Sequence, residues 1–424
     1  MGSISNIPSV NKVTARNYDH QNFWHLASIQ SVSLGIGVIA IGGELAKKYG
    51  AGTAICSIIA GNFILWLIAI AVISMVDKTR SNAIDNISFY IGKYGGMLAA
   101  CVLALSFLNW YSEQINISTS LLVHSYTYNA SYGGAMLIKY GAGLGFITAL
   151  FSIGGIHLLR KIASISLIPI FAYSLYAIFV SDVSLKLSGT WGLSFPAVLS
   201  VVLALLPGVI NFPTFFRHSI SKSHSIFSLS LIAFFVCFFE ISTIWINIEQ
   251  STKSMHGLIL FSIFIISTQV FCNFLNIYMA SACWEAFVPR FEGRREYAIL
   301  GLFGTLVFAL IQIESLMQFL QDLTASYITT LGVVLLLAYL MRTLVRHRVR
   351  RLERATSTAA LLFGWYLATI YEYKYFPDPT APVLAGIAAS LLFFLIVLFI
   401  EETSWAVKGK FAERKANVGS RDAR

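Results

Sequence analysis

Two stretches rich in glycine and proline, set inside otherwise apolar segments, decide the fold of this chain. The first reads Ser33-Leu34-Gly35-Ile36-Gly37-Val38-Ile39-Ala40-Ile41-Gly42-Gly43, and the second reads Leu206-Pro207-Gly208-Val209-Ile210-Asn211-Phe212-Pro213. Hydrocarbon contains no water to satisfy loose backbone groups, so an interrupted helix survives there only against protein or a polar cavity. A matched pair of interrupted spans at corresponding positions of two halves is typical of the substrate site of a secondary transporter.

The composition is that of a polytopic membrane protein. Of the 424 residues, 57% are hydrophobic and 12% are charged, and the mean hydropathy is +0.72. A soluble domain of this size needs far more charge on its surface. The five cysteines all lie in apolar stretches, which indicates small core residues rather than disulfides. The N-terminus begins polar, so we expect no removable signal peptide.

Twelve hydrophobic segments are long enough to cross a bilayer of about 30 Å. They lie at about 24–46, 54–75, 96–124, 142–159, 162–181, 195–216, 226–248, 258–283, 297–313, 316–341, 358–373 and 383–401. With the N-terminus inside, 24 of the 30 Lys and Arg residues lie on cytoplasmic segments. This bias predicts a multi-pass protein of the plasma (inner) membrane with both termini cytoplasmic, and it explains the net charge of +10 without nucleic acid.

The predicted fold is an all-α polytopic membrane protein with a five-plus-five inverted repeat, broken helices 1 and 6, and two extra C-terminal helices. In this arrangement the interrupted spans 1 and 6 occupy equivalent positions of the two repeats. The predicted boundaries are a cytoplasmic N-terminal tail at 1–23, a transporter domain at 24–401 with repeats at about 24–181 and 195–341 and extra spans at about 358–401, and a basic cytoplasmic tail at 402–424.

Polar residues in the predicted third span form the first candidate site. Trp110, Glu113 and Gln114 share one helical face. An aromatic plate beside an amide suits a flat ligand that both stacks and forms hydrogen bonds. The same pattern is also typical of a polar interhelical contact with a packing Trp. A carboxylate inside a membrane is costly unless it is paired or protonated, so Glu113 and Glu240 are candidates for proton coupling or for structural hydrogen bonds.

The predicted eighth span carries a second polar group. Ser267 and Thr268 offer hydroxyl oxygens to a small hard cation, alongside carbonyls freed in span 1. Gln269 and Asn273 lie four residues apart and share a face, with Asn276 one turn beyond. Their amides suit the recognition of carbonyl and N–H groups of a ligand, but they are equally suited to helix–helix hydrogen bonds.

Several classes of function leave no motif in the sequence. There is no Walker loop, nucleophile elbow or zinc motif, and no pair of histidines has metal-ligand spacing. We therefore expect that the protein is not an enzyme and binds no cofactor. The expected coupling ion is a sodium ion or a proton, and no other metal ion is expected.

Short motifs in the predicted spans follow one another in a recognisable order. They are Gly42-Gly43-Glu44-Leu45, Gly61-Asn62, Trp110-Tyr111-Ser112-Glu113-Gln114, Ile165-Ser166 with Pro169, Asn211-Phe212-Pro213-Thr214-Phe215-Phe216-Arg217, and Tyr339-Leu340-Met341. In this order, across spans 1 to 10, the chain resembles the nucleobase:cation symporter family, which includes cytosine permeases and hydantoin transporters.

The resemblance implies a ligand held between spans 1, 3, 6 and 8. Trp110 would stack on the ligand ring, Gln114 would bind its edge, and Asn273 or Gln269 would supply a second amide. A cation would lie between the span 1 backbone and Ser267 or Thr268. The full expected site comprises substrate-binding residues Gly35, Gly37, Trp110, Gln114, Gly208, Asn211, Gln269, Asn273 and Asn276, and ion-coupling residues Ile36, Ile39, Glu113, Ser267 and Thr268.

Three departures from the family pattern leave the cargo and the coupling ion open. Leu205 or Leu206 stands where a second Trp is common, and Thr214 replaces an acid. With a shifted register of span 8, Phe271 and Cys272 would replace hydroxyl residues and the sodium site would be lost. We expect a monomeric symporter that imports a flat nitrogen heterocycle such as cytosine or a purine, with only a small molecule and the bilayer as partners. The alternatives are an amino acid, amine or vitamin such as pyridoxine or thiamine as cargo, a membrane-embedded enzyme, or a sensor that binds without transporting.

Overall fold

A computed structural model describes most of the chain. The described residues are 21–32, 41–76, 80–127, 134–180, 190–246, 252–287, 294–310, 314–344, 353–375, 382–397 and 399–400. They form fourteen helices: α1 Phe23–Val32, α2 Ile41–Tyr49, α3 Ala51–Val76, α4 Ala83–Ile91, α5 Lys93–Thr127, α6 Gly134–Ser152, α7 Gly155–Val180, α8 Phe195–Phe216, α9 Lys222–Ser242, α10 Met255–Trp284, α11 Arg294–Leu310, α12 Glu314–Leu344, α13 Glu353–Tyr375 and α14 Pro382–Val397.

Every predicted span contains helix in the described part of the chain. Eight helices, α3, α5 to α10 and α12, are long and apolar enough to cross a membrane. The first span is represented by α1 and α2, the ninth by α11, and the last two by α13 and α14, which contain shorter apolar stretches. The chain is therefore a multi-pass, all-α membrane protein, which confirms the predicted fold class.

The glycine-rich interruption of span 1 lies outside the described residues. Helix α1 ends at Val32 and α2 begins at Ile41, so nothing is described between them. The expected site residues Gly35, Ile36, Gly37 and Ile39 fall in this interval and remain predictions.

The interruption expected in span 6 differs from the prediction. Helix α8 runs without a break from Phe195 to Phe216, with Pro207 and Pro213 inside it. A proline removes one N–H from the helical ladder, and membrane helices tolerate this where neighbouring groups compensate. One turn after the first proline, the side-chain amide of Asn211 donates to the carbonyl of Pro207 at 3.0 Å. The helix therefore continues through both prolines rather than breaking at them.

The helices pack as two groups of four. One group contains the first span with α3, α8 and α9, and the other contains α5, α6, α10 and α11. Two further helices join the groups, since α7 contacts α1 and α10 while α12 contacts α8 and α5. The contacts of α7 and those of α12 correspond to each other when each span is paired with the span five positions away in the order of spans. This correspondence is expected of a five-plus-five repeat. The predicted repeat boundaries remain a prediction.

A short helix that the hydrophobic segments did not reveal lies between spans 2 and 3. Helix α4 begins after Asn82, whose side chain accepts a hydrogen bond from the Asp85 amide at 2.7 Å. Such a cap satisfies one of the loose N–H groups at a helix start. The helix contacts α5, α12 and α13 and also reaches α8, so it ties the two groups together at one end of the bundle.

Candidate functional site

The polar residues predicted on spans 3 and 8 meet where α5 crosses α10. The side-chain amide of Asn273 donates to the backbone carbonyl of Tyr111 at 3.1 Å. Asn276 in turn donates to the side-chain oxygen of Asn273 at 3.3 Å. Asn273 is fully buried. The two asparagines therefore form a short hydrogen-bonded chain that lies directly against the Trp110–Gln114 segment.

Trp110 and Gln114 lie on α5 beside this contact. Gln114 is only 1% exposed, and its Oε1 accepts no hydrogen bond from the described residues. Trp110 is partly exposed. A buried amide oxygen without a donor costs about 1–3 kcal/mol. This oxygen is thus an acceptor that a ligand N–H would satisfy.

Gln269 lies against the neighbouring helix α6. Its amide nitrogen is 3.5 Å from the hydroxyl of Thr148, and its Oε1 also accepts no hydrogen bond within the described part of the chain. Asn273, four residues later, points to α5 instead. Of the two amides that the sequence left as alternatives for span 8, Asn273 is therefore the one in contact with the Trp110–Gln114 segment.

The residues between Trp110 and Gln114 anchor α5 to its own group of helices. The Tyr111 hydroxyl donates to the Gly145 carbonyl at 2.9 Å and lies 3.0 Å from the hydroxyl of Thr305. Ser112 approaches the Gly304 carbonyl at 3.3 Å. These contacts fix the rotation of α5 about its axis. No role for Tyr111 was predicted from its motif, although its polar hydroxyl in an apolar span was an available signal.

The residues expected to bind a cation on α10 and α5 differ in their burial. Thr268 is buried, and its hydroxyl donates to carbonyls of its own helix at Phe264 and Ile265. Because its hydrogen is used in this way, its oxygen lone pairs remain available to a cation. Ser267 precedes it and is partly exposed, as is Glu113 on α5.

A cavity opens between α1, α3, α8 and α9. It encloses about 520 Å³ of empty space, including space open to the outside, and its walls are mainly apolar. Gly208 and Leu205 of α8 form part of the lining, and a Cβ at Gly208 would meet no atom within 4 Å. Gln30 and Asn62 are its polar residues. The position predicted for a second Trp thus borders open space.

Asn62 also binds a buried acid on α9. Its amide donates to Glu240 Oε2 at 2.6 Å and to the Ile58 carbonyl at 3.0 Å. Glu240 is 0% exposed. Glu240 is recognisable in the sequence as an intramembrane acid, but its partner Asn62 is not, because the pairing depends on how α3 packs against α9.

A charged cluster occupies one end of the helix bundle. Arg217 follows α8 and acts electrostatically on Asp85 of α4 and on Glu285 after α10. Burial raises the pKa of both acids above the ordinary value, and Arg217 partly offsets this rise. His218 accepts a hydrogen bond from Arg217 Nε at 3.2 Å. Burial, together with Arg217 and Arg80, lowers the pKa of His218 to about 3, so the imidazole is neutral.

The same end of the bundle holds the start of the described chain. The Gln21 amide donates to the His218 carbonyl at 2.7 Å, and the Ile220 amide donates to the Gln21 carbonyl at 3.2 Å. The cluster therefore links the segment before α1 and the end of α8 with helices of the other group. Its three charged members, Asp85, Arg217 and Glu285, all lie on segments that the charge bias assigns to the cytoplasmic side.

Taken together, the helices and their packing define an all-α membrane protein of the five-plus-five inverted-repeat class. The solved structure of Mhp1, a nucleobase-cation-symport-1 family transporter in a closed conformation with bromovinylhydantoin bound, shares this fold with a TM-score of 0.64. The two are 15% identical, and the match covers 91% of this chain and 94% of Mhp1.

Two further structures have the same fold. A Na+-coupled sialic acid symporter in a substrate-bound outward-open state matches with a TM-score of 0.64 at 14% identity, covering 89% of each chain. A manganese transporter mutant from Eremococcus coleocola matches with a TM-score of 0.55 at 11% identity, covering 89% of this chain and 92% of that chain. No protein-family model and no curated protein matches the sequence. These likenesses establish the fold over nearly the whole chain.

Proposed function

We propose that this protein is a secondary active transporter that imports a small planar nitrogen heterocycle, such as a nucleobase, by cation-coupled alternating access. The observation that carries the proposal is the contact between Asn273 and the Tyr111 carbonyl. It joins the amides of span 8 to the Trp110–Gln114 segment of span 3, within a fold shared with Mhp1 bound to bromovinylhydantoin. The protein would act as a carrier rather than as an enzyme.

The proposed recognition of the cargo uses stacking and amide hydrogen bonds. The Trp110 ring would stack on the flat face of the ligand, and Gln114 Oε1 would accept one of its N–H groups. The Asn273–Asn276 pair would present further polar atoms to the edge of the ring. Gly208 and Asn211 of α8 would form the opposite wall, together with Gly35 and Gly37.

The proposed coupling ion is sodium. The Thr268 oxygen has its hydrogen turned into its own helix, and Ser267 and the span 1 backbone around Ile36 and Ile39 would complete the shell. Proton coupling through Glu113 is the alternative. Uptake that persists without sodium and collapses with a protonophore would decide for protons.

Alternating access would follow from movement of one group of helices against the other. The span 1, α3, α8 and α9 group would rock against α5, α6, α10 and α11, with α7 and α12 as the connecting elements. Both termini would lie in the cytoplasm of a cell bounded by the plasma (inner) membrane, and the Arg217 cluster would face that side. A single chain would suffice.

A second class of cargo is supported by a specific observation. Leu205, rather than a Trp, borders the cavity beside Gly208, and a Na+-coupled sialic acid symporter matches the fold as well as Mhp1 does. An amino acid, an amine or a vitamin such as pyridoxine or thiamine would be compatible with a site that lacks a second aromatic plate.

The experiment that tests the proposal is a ligand panel on the purified protein. Thermal stabilisation by nucleobases, hydantoins, amino acids and vitamins would be measured with and without sodium, because a ligand that binds only the folded state raises its stability. We expect stabilisation by a nucleobase or a hydantoin that increases with sodium. Stabilisation only by an amino acid, an amine or a vitamin would favour the alternative cargo.

A further inference from the structure

We propose that Glu240, held by Asn62, is a proton-binding site whose access to solvent is controlled by the packing of α2 on α9. The inference rests on the proposed transport function, which it deepens by naming a site that exchanges protons during the cycle. It adds proton binding to the sodium ion proposed on α10 and does not replace that ion, and it concerns a different pair of helices.

The surroundings of the Glu240 carboxyl group favour its protonated form. Glu240 has no solvent exposure, Asn62 donates to Oε2 at 2.6 Å, and Oε1 accepts no hydrogen bond in the described part of the chain. The other hydrogen of the Asn62 amide is already donated to the Ile58 carbonyl. A single neutral donor does not compensate a buried charge, so this environment favours the protonated acid.

Among the described residues, no positive charge is paired with Glu240. Helices α1, α2, α3 and α7 pack against α9. Helix α3 carries no charged residue, and no charged group on these helices acts electrostatically on Glu240. Their ionisable residues are His25 on α1, Glu44, Lys47, Lys48 and Tyr49 on α2, Cys56 on α3, and His157, Arg160, Lys161, Tyr173 and Tyr176 on α7; Cys237 is the ionisable neighbour on α9 itself.

Helix α2 packs directly on the turn of α9 that carries Glu240. A Cβ at Gly42 would overlap the backbone oxygen of Glu240. The Gly43 amide donates to the Thr243 hydroxyl at 3.2 Å, and that hydroxyl donates to the Glu240 carbonyl at 2.7 Å within the end of α9. Separation of α2 from α9 would break the hydrogen bond from Gly43 and uncover the backbone of this turn.

The cavity offers a route for the proton. The cavity between α1, α3, α8 and α9 reaches Asn62, the partner of Glu240. The pair thus borders the cavity through Asn62, and α2 lies on the backbone of the turn that carries Glu240. A group covered in one arrangement and open in another changes its proton occupancy as the helices move, and this is the property required of a coupling site.

A direct test needs no substrate. Infrared difference spectra of the purified full-length protein would record the carbonyl band of a protonated carboxylic acid, identified by its shift in D2O. We expect Glu240→Gln to remove the band while Glu44→Gln, at an exposed position on α2, leaves it unchanged. An identical band in Glu240→Gln would overturn the inference.

A second variant keeps the test decisive if Glu240→Gln fails to fold. Asn62→Leu retains the acid but removes its donor, so the band should persist and move to higher frequency. An unchanged band would show that the two side chains do not interact as described, and would also overturn the inference.

The transport arm separates this inference from the proposed function. Proteoliposomes would be loaded with radiolabelled cytosine for exchange and, separately, given an inward proton gradient with equal sodium on both sides of the membrane. We expect Glu240→Gln to keep exchange within twofold of wild type and to lose at least tenfold of gradient-driven accumulation. Accumulation by Glu240→Gln equal to that of wild type would refute the inference. A wild-type protein that exchanges no member of the ligand panel would refute the proposed function, and the infrared result would then be the test of the inference.

Discussion

Replacement of Gly42 by alanine should loosen α2 from α9. The added Cβ would overlap the carbonyl oxygen of Glu240 and lie 2.6 Å from the Thr243 hydroxyl. Overpacking against atoms that cannot move aside costs about 1–3 kcal/mol. Because this cost falls on the contact between the two helices, it should shift the equilibrium between docked and separated α2 by about 5- to 150-fold.

Hydrogen exchange measures this shift directly, because local opening governs the exchange of backbone amides. We expect peptides covering Ile41–Tyr49 and the end of α9 to exchange about 5- to 150-fold faster in Gly42→Ala. Gly208→Ala is the matched control, since an added Cβ there meets nothing within 4 Å. Exchange of both segments within twofold of wild type would refute the proposed packing of α2 over Glu240.

Two further outcomes follow from the contacts outside this region. Tyr111→Phe removes the hydrogen bonds to Gly145 and Thr305, so thermal stability in detergent should fall, by about 1–3 kcal/mol, while ligand affinity stays unchanged. Because burial raises the pKa of Asp85 and Glu285 in the folded state, the folded protein binds protons more readily than the unfolded chain, and stability should fall as pH rises above the ordinary carboxyl pKa of about 4. Melting temperatures measured across pH should decline less steeply in Asp85→Asn and Glu285→Gln.

Controls make these outcomes decisive. Thr305→Val should destabilise less than Tyr111→Phe and should add little to it, since both changes remove one shared contact. An effect of Tyr111→Phe on ligand affinity rather than on stability would argue that Tyr111 belongs to the binding site. A pH profile as steep in both carboxamide variants as in wild type would exclude Asp85 and Glu285 as the source of the pH dependence.

The fold was predictable because hydrophobic segment length and charge bias are properties of the chain itself. Each of the twelve segments contains helix in the described residues. Helix α4 escaped prediction because its nine residues are too short to form a hydrophobic segment of that length. The effect of Pro207 also escaped prediction, since a proline interrupts a membrane helix only in some surroundings, and here α8 continues through it.

The candidate site was predictable in its residue types but not in its pairings. The sequence identified Trp110, Gln114 and Asn273 from polar residues in apolar spans, but it could not distinguish Asn273 from Gln269. That choice depends on the rotation of α10, which is set by packing such as the stacking of Phe264 on Tyr173 of α7, with ring centroids 4.7 Å apart. Interactions of this kind join residues far apart in the sequence and leave no local pattern.

Uptake by proteoliposomes tests the proposed function most directly. Wild type, Trp110→Ala and Gln114→Ala would be reconstituted in equal amounts, and accumulation of labelled members of the ligand panel would be followed with and without sodium. We predict saturable, cation-dependent uptake of a planar nitrogen heterocycle by wild type and its loss in both variants, with membrane insertion intact. Uptake at the wild-type rate in both variants would contradict the assignment of the site on α5.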